Sequence, residues 1–113
     1  MKMNDELLSC IPHRNASWKI NSENNQVILL RPKFSNRILV KYLLPRLKNP
    51  DYRVNLDVIG SKVWENIDGK RNVHEIGQIL KNDMGVTVDP VYERLNRFIL
   101  SLQKYKFILL QKP

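Results

Sequence analysis

The sequence predicts an α+β fold, a three-stranded antiparallel sheet followed by three helices. Three observations carry that reading. The segment 17–30 alternates and turns as a hairpin does. The stretch VNLDVIGSKVWENIDGKRNVHEIG, Val54 to Gly77, reads as a short strand, a helix, a tight turn and a second helix. A third apolar stripe follows the dipeptide Asp89-Pro90, a usual way to start a helix.

The elements follow in order. Residues 1–15 mix charge, Cys10, Pro12 and two asparagines without a period. They read as an irregular lead-in packed on the core through Leu7, Leu8 and Ile11. From Ser17 to Asn21 the pattern alternates, Trp18 and Ile20 to one side and Lys19 to the other, as in a half-buried strand. Glu23-Asn24-Asn25 is a turn, because asparagine accepts left-handed backbone geometry. Val27 to Leu30 is the second strand, closed by Pro32, which has no N–H for a ladder.

Residues 33–50 interrupt the sheet. Ser35 or Asn36 can cap a helix carrying Ile38, Leu39, Tyr42 and Leu43, and Pro45 ends or kinks it. Tyr52 to Leu56 is the third strand. Asp57 caps the helix that follows, whose apolar face is Ile59, Val63, Trp64 and Ile67. Asp68-Gly69 turns the chain, and Asn72 with Glu75 forms a capping box for a helix burying Val73, Ile76, Ile79, Leu80 and Met84. Gly85 ends that helix and Val86-Thr87-Val88 crosses over. Val91, Leu95, Phe98, Ile99 and Leu102 line the last helix, and Phe107 to Leu110 is a short strand or packed tail. Two helices joined by so brief a turn make a helix-turn-helix, and the sheet before them makes it winged.

Composition narrows the function. A chain of 113 residues is expected to form one domain, 1–113. Its formal charge is +8 and its pI about 9.8, which favours acidic partners. Between Arg31 and Arg53 stand Arg31, Lys33, Arg37, Lys41, Arg46, Lys48 and Arg53 against Asp51 alone, a net +6. The charge therefore sits on the helical insert. One cysteine excludes a disulfide framework, and the absence of a signal peptide or long apolar run points to a cytoplasmic protein without a membrane span. Catalysis finds little support, and no metal or other cofactor is expected. His13 and His74 stand alone, Cys10 has no neighbouring ligand, and there is no phosphate loop or nucleophile elbow. A single cysteine cannot hold an iron–sulfur cluster, so radical chemistry would belong to a partner.

The runs LDVIGSKVWENIDGKRNVHEIGQILKNDMG and PVYERLNRFILSLQKYKFI resemble the PqqD family, named for pyrroloquinoline quinone biosynthesis protein D. The shared features are the strand ending VNLD, small Gly60 before Val63-Trp64, the Asp68-Gly69 turn, the V-H-E-I helix start and the F-I pair after the last helix. VILLRP resembles the second strand of the family's hairpin, and the insert resembles the extra helix of a longer subgroup. Lys106 stands where the family often has glycine, and Asn72 where Thr or Ser is common.

The resemblance implies a chaperone-like peptide-recognition module, not an enzyme. It would bind the leader of a ribosomally made precursor peptide as an added strand and deliver it to a modifying enzyme, often of the radical S-adenosylmethionine type. The implied groove residues are Arg53, Val54, Asn55 and Leu56 on the third strand, with Val91, Arg94, Leu95 and Phe98 on the last helix. Leu95 and Phe98 are more readily explained as core than as groove floor, because they lie on the stripe that must be buried anyway. Arg37, Lys41, Arg46 and Lys48 of the insert would steer the leader or dock the enzyme. An open strand edge suits a homodimer equally. The competing reading is a winged-helix DNA-binding protein. The last helix offers Arg94, Asn96, Arg97 and Gln103 for it, but also Glu93, and most positive charge lies elsewhere, so nucleic acid is the disfavoured partner.

Overall fold

The computed structural model describes residues 5–32 and 53–113. The expected insert helix and its basic residues Arg37, Lys41, Arg46 and Lys48 lie outside them, as does Tyr52. Among the described residues the fold is α+β, with two antiparallel sheets and four α-helices. In chain order these are α1 (Asp5–Ser9), β1 (Ile11–Arg14), β2 (Ala16–Ile20), β3 (Val27–Pro32), β4 (Val54–Asn55), α2 (Val58–Glu65), α3 (Val73–Met84), a 3₁₀ turn (Gly85–Val88), α4 (Val91–Lys104) and β5 (Ile108–Gln111).

The central sheet has the order β2-β3-β4. Its hairpin closes through Asn25, which takes φ +60°, while the Asn21 and Asn24 side chains accept the N–H groups of Glu23 and Gln26. Trp18 and Ile20 lie opposite Leu29 and Val27 and so share their face of the sheet. Val27 and Leu29 are wholly buried, but Trp18 and Ile20 remain more than a third exposed because β2 is the outer strand.

β3 pairs with β4 through Ile28 opposite Asn55 and Leu29 opposite Val54. The next pair is Val27 with Leu56, where the Leu56 N–H donates to the Val27 carbonyl at 2.9 Å. The return bond is replaced by a side chain. The Val27 N–H donates to Ser61 Oγ at 2.8 Å, and that hydroxyl in turn reaches the Leu56 carbonyl at 3.5 Å. Ser61, on the first turns of α2, is 4% exposed and thus welds the helix to the end of the sheet.

The helix ends follow local chemistry. Asp57 accepts the Gly60 N–H at 2.7 Å and caps α2. Asn72 and Glu75 exchange side-chain and backbone bonds in a full capping box on α3. Asp68 accepts the N–H groups of Arg71 and Lys70 in the intervening turn, which holds its carboxyl below the usual value, and Gly69 takes φ +77°. α4 differs from expectation by one position. Pro90, not Asp89, is its N-cap, with no side-chain cap bond, and the Asp89 carboxylate pairs with Lys81 Nζ instead (2.6 Å to Oδ2). The helices meet over Val63, Trp64, Ile67, Val73, Ile76, Leu80, Leu95, Ile99 and Leu102, all buried with Val27 and Leu29 in one core. α3 and α4 approach closely at Gly77, where a Cβ would stand 2.4 Å from the Tyr92 ring.

Residues 5–15 correct the expectation of an irregular lead-in. Leu7 enters the core and Leu8 packs against it, as expected, but from α1. β1 pairs antiparallel with β5, from Ile11 opposite Gln111 to Arg14 opposite Ile108. The partner lies almost a hundred residues away, and Pro12 hides the strand pattern, so nothing local announces it. The segment also straps the helices together. The Val73 N–H donates to the Cys10 carbonyl at 3.0 Å. Arg14 donates to the carbonyls of Trp64 and Glu65, closing the C-terminus of α2, and its guanidinium lies 4.9 Å from the Trp18 ring centroid. Partial burial lowers the Arg14 pKa, opposed by the charges of Asp68 and Glu65. An arginine stays protonated nonetheless.

Lys106 departs from the glycine that the resemblance leads one to expect. Lys106 takes φ +66° and is held there by the Asn15 Nδ2–H bond to its carbonyl (3.0 Å) and by the Asn15 N–H bond to Phe107 (2.8 Å). A left-handed lysine costs about 1–2 kcal/mol, and glycine costs about 0.5–1 kcal/mol in unfolded-chain freedom. Lys106→Gly should therefore stabilise the chain by roughly 0.5–1 kcal/mol in urea unfolding. Ser61→Ala leaves a buried Val27 N–H without an acceptor and should cost about 1–3 kcal/mol in the same measurement. A loss below about 0.5 kcal/mol would show that the hydroxyl bridge does not hold the sheet.

Candidate functional site

Among the described residues β4 has a partner on one side only, β3. In an antiparallel ladder successive residues turn their N–H and C=O alternately toward and away from the neighbouring strand. Leu56 bonds inward to Val27, and Val54 occupies the equivalent position opposite Leu29. The backbone N–H and C=O of Asn55 therefore point outward, away from β3.

Facing this edge is the N-terminal half of α4. Val91, Arg94, Leu95 and Phe98 recur at positions i, i+3, i+4 and i+7 and so share one helical face. Between the edge and that face lies a cleft of about 330 Å³. Its size is at the lower end of the range of about 300–1,000 Å³ usual for ligand pockets. Leu56, Val63, Leu80, Val88, Val91 and Leu95 are its buried apolar lining. Ile59 and Phe98 are half-buried, and Asn55, Asp57 and Arg94 bring polar groups to the rim.

Six of the eight expected groove residues meet here: Asn55, Leu56, Val91, Arg94, Leu95 and Phe98. The other two do not line the cleft. Arg53 is exposed just before β4, and Val54 turns to the core. Leu95, at 3% exposure, belongs to the core and to the cleft wall at once. Sequence reasoning missed the contribution of α2, which supplies Asp57, Ile59, Gly60 and Val63. Gly60 gave the signal, being the small residue between Ile59 and the Val63-Trp64 pair. A Cβ there would stand 3.3 Å from the Phe98 ring and 3.1 Å from Asp57 Oδ1, so glycine lets Phe98 lie close over the helix start.

The Arg94 guanidinium reaches the 3₁₀ turn, Nη1 donating to the Thr87 carbonyl at 2.9 Å. Arg97, three residues further on, is engaged by Glu93 at 3.0 Å. His74 is exposed, its ring stacked on Tyr92 with centroids 5.3 Å apart, and it does not line the cleft. Among the described residues no group of three His, Cys, Asp or Glu side chains could hold a metal ion, and no helix is long and apolar enough to cross a membrane. The cleft can accommodate apolar side chains and offer backbone and charged partners along one border. It places no paired acid and base, and no nucleophile beside a base.

No curated protein matches the chain. A family model does, the one described as Coenzyme PQQ synthesis protein D (PqqD), over residues 47–108. Proteins of that family are accessory, non-catalytic binding proteins. The matched span runs through β4, all of α2, α3 and α4, and into β5, and so includes every residue that lines the cleft. A match over more than half of its length makes this chain a member of the PqqD family, whose known role is the recognition of ribosomally made precursor peptides.

Proposed function

We propose that the chain binds the leader segment of a ribosomally synthesised precursor peptide and presents it to a modifying enzyme, without catalysing the modification itself. The guest adds as a strand along the open side of β4 and places alternate side chains in the cleft against α4. The single observation that carries this is the outward direction of the Asn55 N–H and C=O beside an apolar cleft. β2-β3-β4 with α2, α3 and α4 then act as a winged helix-turn-helix whose last helix faces a peptide. The partner enzyme is of the radical S-adenosylmethionine type, and the complex forms in the cytoplasm. Use of α4 as a DNA-reading helix is less well supported. Its face carrying Val91, Leu95 and Phe98 turns to an apolar cleft, and Arg97 is tied to Glu93.

Asn55→Pro tests the mode of binding. It removes an N–H that the β3–β4 ladder does not use, so thermal stability should stay near that of the parent chain. Peptides selected from a displayed random library against the parent should lose at least about tenfold in affinity, the worth of one or two backbone bonds. In the parent, the same peptides should slow amide exchange at Asn55. Unchanged affinity, or protection confined to the outer face of α3, would count against strand addition.

The basic insert is proposed to steer an acidic leader. Neutralising Arg37, Lys41, Arg46 and Lys48 with glutamine should flatten the salt dependence of peptide affinity, since charges acting through solvent are screened over a Debye length of about 10 Å at 0.1 M salt. An unaltered salt slope removes that role.

A further inference from the structure

We infer that Arg94 is a specificity-determining residue, one that selects guest peptides carrying a carboxylate side chain next to the bulky apolar side chain that fills the cleft. The inference rests on the peptide-binding reading above and adds to it what the bound sequence must contain.

The argument begins with charge pairing on the described surface. Around the helices four cations are paired with a nearby carboxylate: Lys62 with Asp83 at 3.0 Å, Lys81 with Asp89, Arg97 with Glu93 and Arg71 with Asp68, while Lys104 at the end of α4 lies over the Tyr105 ring. Arg94 is treated differently. Among the described residues its guanidinium meets no carboxylate, and its protein hydrogen bond goes to the neutral carbonyl of Thr87. That bond uses Nη1 alone. An arginine has five N–H donors in a rigid fork, so the tether fixes the group and leaves donors for a second partner.

Position makes this a site feature. Arg94 shares its helical face with Val91, Leu95 and Phe98, and lines the same cleft. A carboxylate docked beside that apolar wall is partly removed from water, where a charge-assisted bond to arginine is stronger than on an open surface. The other charged group lining the cleft is Asp57, whose Oδ1 is committed to the α2 cap. Its negative charge disfavours a guest carboxylate at the α2 end and favours one at Arg94. The cleft is therefore electrically asymmetric, which gives the guest a direction as well as a composition.

The test is a selection with a displayed random peptide library against the full chain and against Arg94→Glu. Peptides selected by the parent should be enriched in Asp or Glu at a fixed distance from a large aliphatic or aromatic residue. Arg94→Glu should lose about 10- to 100-fold in affinity for them, the worth of a charged hydrogen bond. It should recover binding when the peptide's acid is exchanged for lysine, and Arg94→Lys should lose less than Arg94→Glu. Rescue by the exchanged peptide also shows that the variant is folded. If the parent selects peptides sensitive to Asn55→Pro but with no acidic preference, or if charge exchange fails to rescue, the assignment of Arg94 is overturned while strand addition stands. If the parent selects no peptides at all, both fall.

Discussion

The hydroxyl of Ser61 decides where the sheet stops and the helices begin. A regular ladder between β3 and β4 would carry on through the Val27–Leu56 pair with two direct bonds. Here one of the two is direct, and the other passes through a side chain that belongs to α2. The strand is thereby cut short at Asn55, and the chain turns at once into a helix capped by Asp57. A continuing strand would carry the chain past the place where α2 now stands against α4. Because β4 ends there, the start of α2 can close one side of the cleft while Asn55 stays at its border. An unsatisfied buried N–H costs more than an ordinary hydrogen bond contributes, so this joint is fixed by penalty as much as by attraction.

The helices behind the cleft are held from the other end by the strap formed by residues 10–15. Arg14 closes the exposed carbonyls of α2, Cys10 receives the first N–H of α3, and Asn15 binds the turn after α4. The three helices are thus tied near their ends by one short segment, itself fixed by pairing of β1 with β5. Helix positions in a small domain depend on such ties because its core is limited. The left-handed Lys106 is part of the same arrangement: the Asn15 amide compensates a backbone conformation that glycine would adopt without strain.

The family match and the geometry contribute different things. The match over residues 47–108 begins after β1, β2 and β3, so the sheet that presents β4 rests on the hairpin pattern of the sequence and on the folded chain, not on the match. Conversely, the cleft alone would suit many extended apolar guests, and membership of a family of accessory binding proteins is what directs the reading to precursor peptides. The electrostatics divide similarly. On the described helices most cations are paired, and the net positive charge of the sequence is concentrated between Arg31 and Arg53.

How much could be read without coordinates varies with the range of the interaction. The caps of α2 and α3, the Asn25 turn, the Asp68-Gly69 turn and the buried stripes all depend on residues a few positions apart, and the sequence by itself determined them. The resemblance pointed to the strand edge and the α4 face, and six of the eight residues expected there line one cleft. Tertiary structure alone decided the rest. The pairing of β1 with β5, the role of Ser61, the capture of Asp89 by Lys81 and the place of α2 in the cleft wall join groups that have no local signature. Hydrogen bonds and apolar contacts between distant segments are settled only when the whole core closes. Propensity and periodicity, which act within a turn or two of chain, carry no information about them.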